Sequence, residues 1–156
     1  MVLNSERIGQ MRSAPFSRFA SLALFTVALA SVANLSIWLA AQFLLQPDPA
    51  FLPLNLGPVV FFSLAGAGGA ALVYWLISRF SQRPAWLFRR VASVVLLLSF
   101  IPDISLMMGG GRSFPGTTAW TVAALALMHF ATWAVCISML TRLDRQSDVS
   151  KRSKSK

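Results

Sequence analysis

The stretch FASLALFTVALASVANLSIWLAAQFLL, residues 19–45, decides the fold. It carries no charged side chain, and it is longer than the roughly 20 residues that a helix needs to cross about 30 Å of hydrocarbon. Three more apolar runs follow, at residues 58–78, 91–108 and 118–140. Because lipid cannot satisfy open backbone groups and these runs lack the alternation of barrel strands, each one predicts a helix. The sequence therefore predicts an all-α fold, a transmembrane four-helix bundle.

The composition points to the same class of protein. Of 156 residues, 56% are hydrophobic and 12% are charged, which is too apolar for a soluble domain of this size to cover its own surface. The net charge of +9 would suggest nucleic acid as the partner of a soluble protein. Here the charges flank apolar runs, so we expect the lipid bilayer as the partner and no nucleic acid.

The basic residues predict the orientation. They cluster before the first span, between the second and third spans and after the fourth, whereas the first connection has none and the third has only Arg112. The positive-inside rule then predicts an N-in/C-in protein of the inner (plasma) membrane. A spanning domain at 18–141 lies between a basic N-terminal segment, 1–17, and a disordered basic tail, 142–156. We expect these cytoplasmic flanks to be able to hold anionic lipid head groups.

The N-terminal region also resembles a secretory signal peptide. Arginines precede an apolar stretch, and Ala28-Leu29-Ala30 has the small residues of a cleavage site. Cleavage there would leave an apolar half-helix that runs on to Leu45, so we expect an uncleaved first span.

The first connection, QPDPAFLPLNLG, has three prolines and a glycine. This composition predicts an extended strap rather than a folded domain. Its apolar side chains would lie against the membrane interface: Phe51, Leu52, Leu54 and Leu56.

Three polar residues interrupt the apolar runs: Asn34 in the first, Asp103 in the third and His129, the single histidine, in the fourth. Ionisable groups inside a membrane are costly, so they usually face the bundle interior and pair. We expect these three to meet at one depth, either as a proton relay or substrate-binding centre, or as hydrogen bonds that join helices. Pro102 either kinks the third helix beside Asp103 or ends it.

Helical spacing adds neighbours to these residues. In the first span Asn34 shares a stripe with Ser31, Trp38 and Gln42, and in the fourth span His129 shares one with Thr132 and Cys136.

Small residues at a spacing of four mark the second span as a packing helix. The pairs are Ala65 with Gly69, Gly66 with Ala70, and Ala67 with Ala71. Such a face is more typical of packing within a monomer, although a homodimer or a membrane-complex partner stays open.

The sequence carries no catalytic motif, so we expect no enzyme. Cys136 stands alone and forms no disulfide within the chain. Several methionines, with His129 and Cys136, could offer soft ligands to copper, but methionine is ordinary membrane filler. A single histidine gives at most one axial haem ligand per chain. We expect no metal and no cofactor.

Four segments give the chain a resemblance to a known group: ANLSIWLAAQF, LGPVVF, RPAWLFRRVASVVLLLSFIPD and ALALMHFATWAV. It resembles a family of small bacterial four-span membrane proteins described as a domain of unknown function, over most of residues 20–140. The resemblance implies a multi-pass protein of the bacterial inner membrane and no assigned activity, with His129 in a recurring Met-His pair.

Three functional classes follow from the sequence. The favoured one is a noncatalytic membrane module that binds a partner protein or lipid. The alternative is a small proton-coupled or substrate transporter that uses Asp103 and His129; small multidrug carriers of this size have a glutamate in span one, where this chain has Asn34. The third class is a membrane enzyme or redox subunit, which would hold a cofactor.

Overall fold

Four long antiparallel α-helices make up most of the described part of the protein. The computed structural model describes residues 16–109 and 114–142, and this part of the chain contains no strand. The helices are α1 (Phe16–Leu45), α2 (Leu56–Phe80), α3 (Pro84–Met107) and α4 (Ala119–Leu140), with one 3-10 turn at Leu52–Leu54 between α1 and α2. The prediction of an all-α, four-helix protein is confirmed. Residues 1–15 and 143–156, where most of the two predicted basic flanks fall, lie outside the described residues.

All four helices are long and apolar enough to cross a membrane, and the mean hydropathy of their most apolar segments runs from 1.7 to 2.0. Between 6% and 22% of the residues in those segments are buried inside the protein. The remaining apolar side chains form a continuous outer surface that lipid, unlike water, can cover without a hydrophobic penalty. The chain is a multi-pass membrane protein.

The helices form a ring. Helix α1 packs on α2 and α4, while α3 packs on α4 and more lightly on α2. Helices α2 and α4 also touch across the middle, so α1 and α3 lie on opposite sides of the bundle.

The two ends of the bundle differ in charge. At one end, here called the basic end, lie the start of α1, the turn between α2 and α3, and the end of α4. The other end, the strap end, holds the α1–α2 connection and the α3–α4 connection. Within the described residues both acids, Asp48 and Asp103, belong to the strap half, and the exposed arginines belong to the basic end: Arg18, Arg79, Arg83, Arg89, Arg90 and Arg142.

Helix α3 begins earlier than its apolar run predicts. The run begins at Val91, but the helix begins at Pro84. Proline is favourable in the first turn of a helix, and Arg89 and Arg90, which lie in the first two turns, stay exposed. Pro102 lies inside the helix, which continues to Met107, so the alternative that Pro102 ends the span is wrong.

The connection between α1 and α2 folds back onto the end of the bundle. Phe51 and Leu54 are each 1% exposed and belong to the strap-end core. The indole nitrogen of Trp38 and the side-chain amide of Gln42 both donate to the backbone carbonyl of Leu54, at 2.8 and 3.1 Å. These two hydrogen bonds give the carbonyl of Leu54 the donors that a buried backbone carbonyl requires.

The strap differs from the extended segment that the prolines predict. Of its four large apolar side chains, only those of Leu52 and Leu56 are exposed, and residues Leu52–Leu54 form a 3-10 turn. The prediction that Phe51 and Leu54 lie against the membrane interface is wrong, because donors on α1 fix the carbonyl of Leu54 and the two side chains fill the strap-end core.

The two connections of the strap end contact each other at Gly116. Its φ of +78° is a backbone conformation that L side chains rarely adopt, and a Cβ atom at this position would collide with the side chain of Asp48.

We predict that Gly116→Ala destabilises the protein by about 1–2 kcal/mol from the left-handed backbone alone, with the collision adding to this cost. Gly68→Ala is the matched control, since Gly68 is helical and a Cβ there meets nothing within 4 Å. Denaturation midpoints in detergent should fall for Gly116→Ala and stay level or rise for Gly68→Ala. Equal midpoints for the two variants would contradict the close contact of the connections.

Candidate functional site

Asn34 is buried in α1 and joins three helices. Its Nδ2 atom donates to the hydroxyl of Ser63 on α2 at 2.9 Å and to the hydroxyl of Thr132 on α4 at 2.9 Å. The Ser63 hydroxyl in turn donates to the carbonyl of Val59 at 2.6 Å. Both protons of one amide are therefore used to hold α1, α2 and α4 at a fixed depth.

Asp103 and His129 form a second polar pair, between α3 and α4. The Nε2 atom of His129 lies 3.6 Å from Oδ2 of Asp103, within reach of an ion pair but beyond the length of a hydrogen bond. This carboxylate oxygen is buried and accepts no hydrogen bond within the described residues. The imidazole is thus the nearest group that can share a proton with Asp103.

Helix direction explains why these two side chains meet. The Cα–Cβ bonds of a helix tilt toward its N-terminus, and α3 and α4 run in opposite directions. Asp103 lies about 6 Å from the end of α3 at 1.5 Å per residue and leans away from the strap end. His129 lies about 15 Å from the start of α4 and leans toward the strap end. The two side chains therefore approach each other along the helix axes.

The two members of the pair differ in exposure. The Asp103 side chain is 7% exposed and that of His129 is 40% exposed, although His129 lies near the middle of its helix. Phe100 packs edge-on against the imidazole, with ring centroids 6.3 Å apart. His129 makes no hydrogen bond within residues 16–109 and 114–142. Its imidazole therefore presents a polar group to the outside of the bundle at mid-membrane depth.

An open cleft of about 450 Å³ lies at the strap end, between the end of α3 and the start of α4. Its lining includes Leu106, Thr117 and Thr118. Leu106 lies one helical turn beyond Asp103, so the cleft comes within one turn of the buried carboxylate.

The structure divides the predicted polar centre into two sites that share α4. Asn34 bonds Ser63 and Thr132, and among the described groups it makes no hydrogen bond to Asp103 or His129. The expectation that the three residues form one centre is therefore met only for Asp103 with His129. The reason is the ring arrangement of the helices, in which α1 and α3 lie on opposite sides and Asn34 bonds the two helices next to α1 on the ring.

The pairing of Asn34 with Ser63 has no sequence signal. Serine is common in membrane helices and bonds its own backbone, as Ser36 does to Val32 and Ser138 to Val135. Thr132, by contrast, lies on the polar stripe that the spacing of α4 identifies.

Asp103 and His129 are the ionisable side chains that the described spanning helices bring together in a pair. No group of three or more His, Cys, Asp or Glu side chains occurs among the described residues, so they assemble no complete metal site of this type. Cys136 is buried in the apolar core of the basic half.

The small-residue face of α2 is used differently from the expectation. The buried stripe is Val59, Ser63, Ala67 and Ala71, whereas Ala65, Gly66 and Gly69 are exposed and Ala70 is half-buried at the edge of the core. A Cβ on Gly69 would meet nothing within 4 Å, and one on Gly66 would meet only the methyl of Thr132. Packing within the monomer therefore uses the third of the three pairs, Ala67 with Ala71.

A family model described as a family of unknown function, DUF6069, matches residues 15–146. The chain belongs to this family. The match covers all four helices and both polar sites, and it confirms the resemblance to a four-span family without an assigned function. No curated protein and no solved structure matches the chain.

We predict that Asn34→Ala lowers the free energy of unfolding by about 1–2 kcal/mol, because two hydroxyl groups lose their donor inside the membrane. A double-mutant cycle with Thr132→Val should give a coupling of about 0.6–1.7 kcal/mol. The control is Ser36→Ala, since Ser36 is exposed and bonds only its own helix. Denaturation by SDS measures the four proteins of the cycle and the control, and a coupling near zero would exclude a stabilising Asn34–Thr132 bond.

Proposed function

We propose that this membrane protein is a noncatalytic module that binds a second membrane protein through the surface around His129. The observation that carries the proposal is the 40% exposure of an imidazole near the middle of a spanning helix. Facing hydrocarbon, its second ring nitrogen would have no hydrogen-bonding partner, which costs free energy. A partner helix with a hydroxyl or amide group at the same depth would remove this cost.

The surroundings of His129 support a protein rather than a lipid tail as the partner. Phe100 packs against the imidazole, and the carboxylate of Asp103 lies 3.6 Å from its Nε2 atom, so Nδ1 is the ring nitrogen that stays available to a partner. Acyl chains offer no donor or acceptor at this depth, whereas hydrogen bonds between helices in membranes contribute about 0.6–2 kcal/mol.

We further propose that the basic end faces the cytoplasm of a bacterial inner membrane, so that both termini are cytoplasmic. The support is electrostatic: six exposed arginines lie at the basic end of the described residues, and the two described acids lie in the strap half. Reporter fusions test this proposal. Alkaline phosphatase fused after Gly116 should be active and the same enzyme fused at the C-terminus inactive; the reverse result would contradict it.

The partner-binding proposal predicts a position-specific contact. Benzoylphenylalanine in place of Phe100, beside His129, should crosslink on illumination of intact membranes to one protein of fixed mass. The crosslink should be lost when His129 is changed to Leu and kept when it is changed to Gln, which retains hydrogen bonding. The control is the same probe at Phe62 on α2, which is more exposed than the half-buried Phe100 and lies on another helix. Equal capture at both positions, or lipid adducts alone, would contradict a binding surface at His129.

A small proton-coupled transporter is the second candidate, and a different observation favours it. Asp103 Oδ2 is buried without a hydrogen bond, 3.6 Å from an imidazole and one turn from an open cleft. An acid and an imidazole that pair inside a membrane are the kind of residues that form proton pathways in carriers. Proton uptake into liposomes that contain the wild-type protein, abolished by Asp103→Asn, would support the carrier and overturn the noncatalytic module. Tight vesicles with the wild-type protein would exclude the carrier.

A further inference from the structure

The hairpin of α2 and α3 repeats one arrangement on both of its helices. In the last turns of α2, the guanidinium of Arg79 lies 4.9 Å from the ring centre of Trp75. In the first turns of α3, the guanidinium of Arg90 lies 4.6 Å from the ring centre of Trp86. Stacking on an indole holds a planar guanidinium in place and leaves its N–H groups free at the edge.

Helix direction places both guanidinium groups near the same depth. Arg79 lies next to the end of α2, and its side chain leans back toward the membrane over Trp75. Arg90 lies about 9 Å inside the start of α3, and its side chain leans outward over Trp86. Because only residues 81–83 separate the helices, their ends are level. The two cations therefore lie within about one to two turns of the basic end, where tryptophan rings mark the membrane interface.

The charge of this surface is not compensated by the described part of the protein. Arg83 and Arg89 are exposed in the same hairpin, and none of the four arginines forms an ion pair with a described acid. A phosphodiester at the interface has two oxygens that can accept hydrogen bonds from a guanidinium group. Such charge-assisted hydrogen bonds are among the strongest at a protein surface. A neutral head group carries its own ammonium cation, which the arginines would repel.

We propose that the α2–α3 hairpin is a binding site for anionic phospholipid, in which Arg79 and Arg90, each stacked on the tryptophan ring of its own helix, bind head-group phosphate. The site lies at the end of the bundle opposite the strap and does not depend on the function of His129. It differs from a general basic flank because two of its cations are stacked on indole rings at interface depth.

Native mass spectrometry of the full-length protein in mild detergent tests the site. Phosphatidylglycerol is titrated, with phosphatidylcholine as the neutral probe, and the apparent Kd of the first bound lipid is measured. Removing both charges with Arg79→Gln and Arg90→Gln should weaken phosphatidylglycerol binding by about 25-fold, at about fivefold for each charge near the surface. The weak binding of phosphatidylcholine should not change.

Two further double variants make the result specific. Arg18→Gln with Arg142→Gln removes the same charge from the same end, away from the tryptophans, and should cost less than about threefold. Arg79→Lys with Arg90→Lys keeps the charge and the fold but loses the planar fork, and should cost about fivefold. Equal losses in the two glutamine variants, wild-type affinity in the lysine variant, or equal binding of the two lipids would overturn the proposal.

Discussion

Hydrocarbon offers no hydrogen-bonding partner to a polar group, and this constraint explains how polar side chains join the helices. The two amide protons of Asn34 meet it by donating to Ser63 and Thr132, which sets α1, α2 and α4 at one depth, while its amide oxygen accepts no hydrogen bond within the described residues. The carbonyl of Leu54 meets it by accepting from Trp38 and Gln42, which draws the strap into the end of the bundle. In hydrocarbon, apolar packing between helices gains little free energy over contact with lipid. Hydrogen bonds therefore help to determine which of several similar helix arrangements is the most stable.

The Asp103–His129 pair satisfies this constraint incompletely. The carboxylate oxygen is 3.6 Å from the imidazole, accepts no hydrogen bond within the described residues, and belongs to a helix that has few buried residues. A pair that served only to join α3 to α4 would be expected to close to hydrogen-bonding distance and to be shielded from lipid on both sides. The exposed imidazole and the adjacent cleft distinguish this site from the Asn34 site, which is enclosed and structural.

How much could be predicted from the sequence depends on the physical origin of each feature. The four spans follow from apolar length alone, and the polar residues stand out because an apolar run has so few. The choice of packing face does not follow, because Ala65 with Gly69, Gly66 with Ala70 and Ala67 with Ala71 have identical spacing. The third pair is selected by the packing of the other three helices on α2, which buries Ala67 and Ala71 in the same core cluster as Ala30 of α1 and Cys136 of α4. Likewise, prolines predict that the strap is not helical, but its inward turn depends on donors that lie on another element.

The two ends of the bundle suggest different relations to the bilayer. At the strap end, loop backbone is hydrogen-bonded by α1, and Gly116 contacts Asp48, so contacts within the protein hold the two connections in place beside the open cleft. At the basic end, the helices are joined by residues 81–83 and the exposed arginines have no described acid as partner. The partners of those charges must therefore come from water, the membrane surface or parts of the chain outside the described residues. Stacking on Trp75 and Trp86 favours the membrane surface, because an indole ring holds its guanidinium at the depth of the head groups rather than in bulk water.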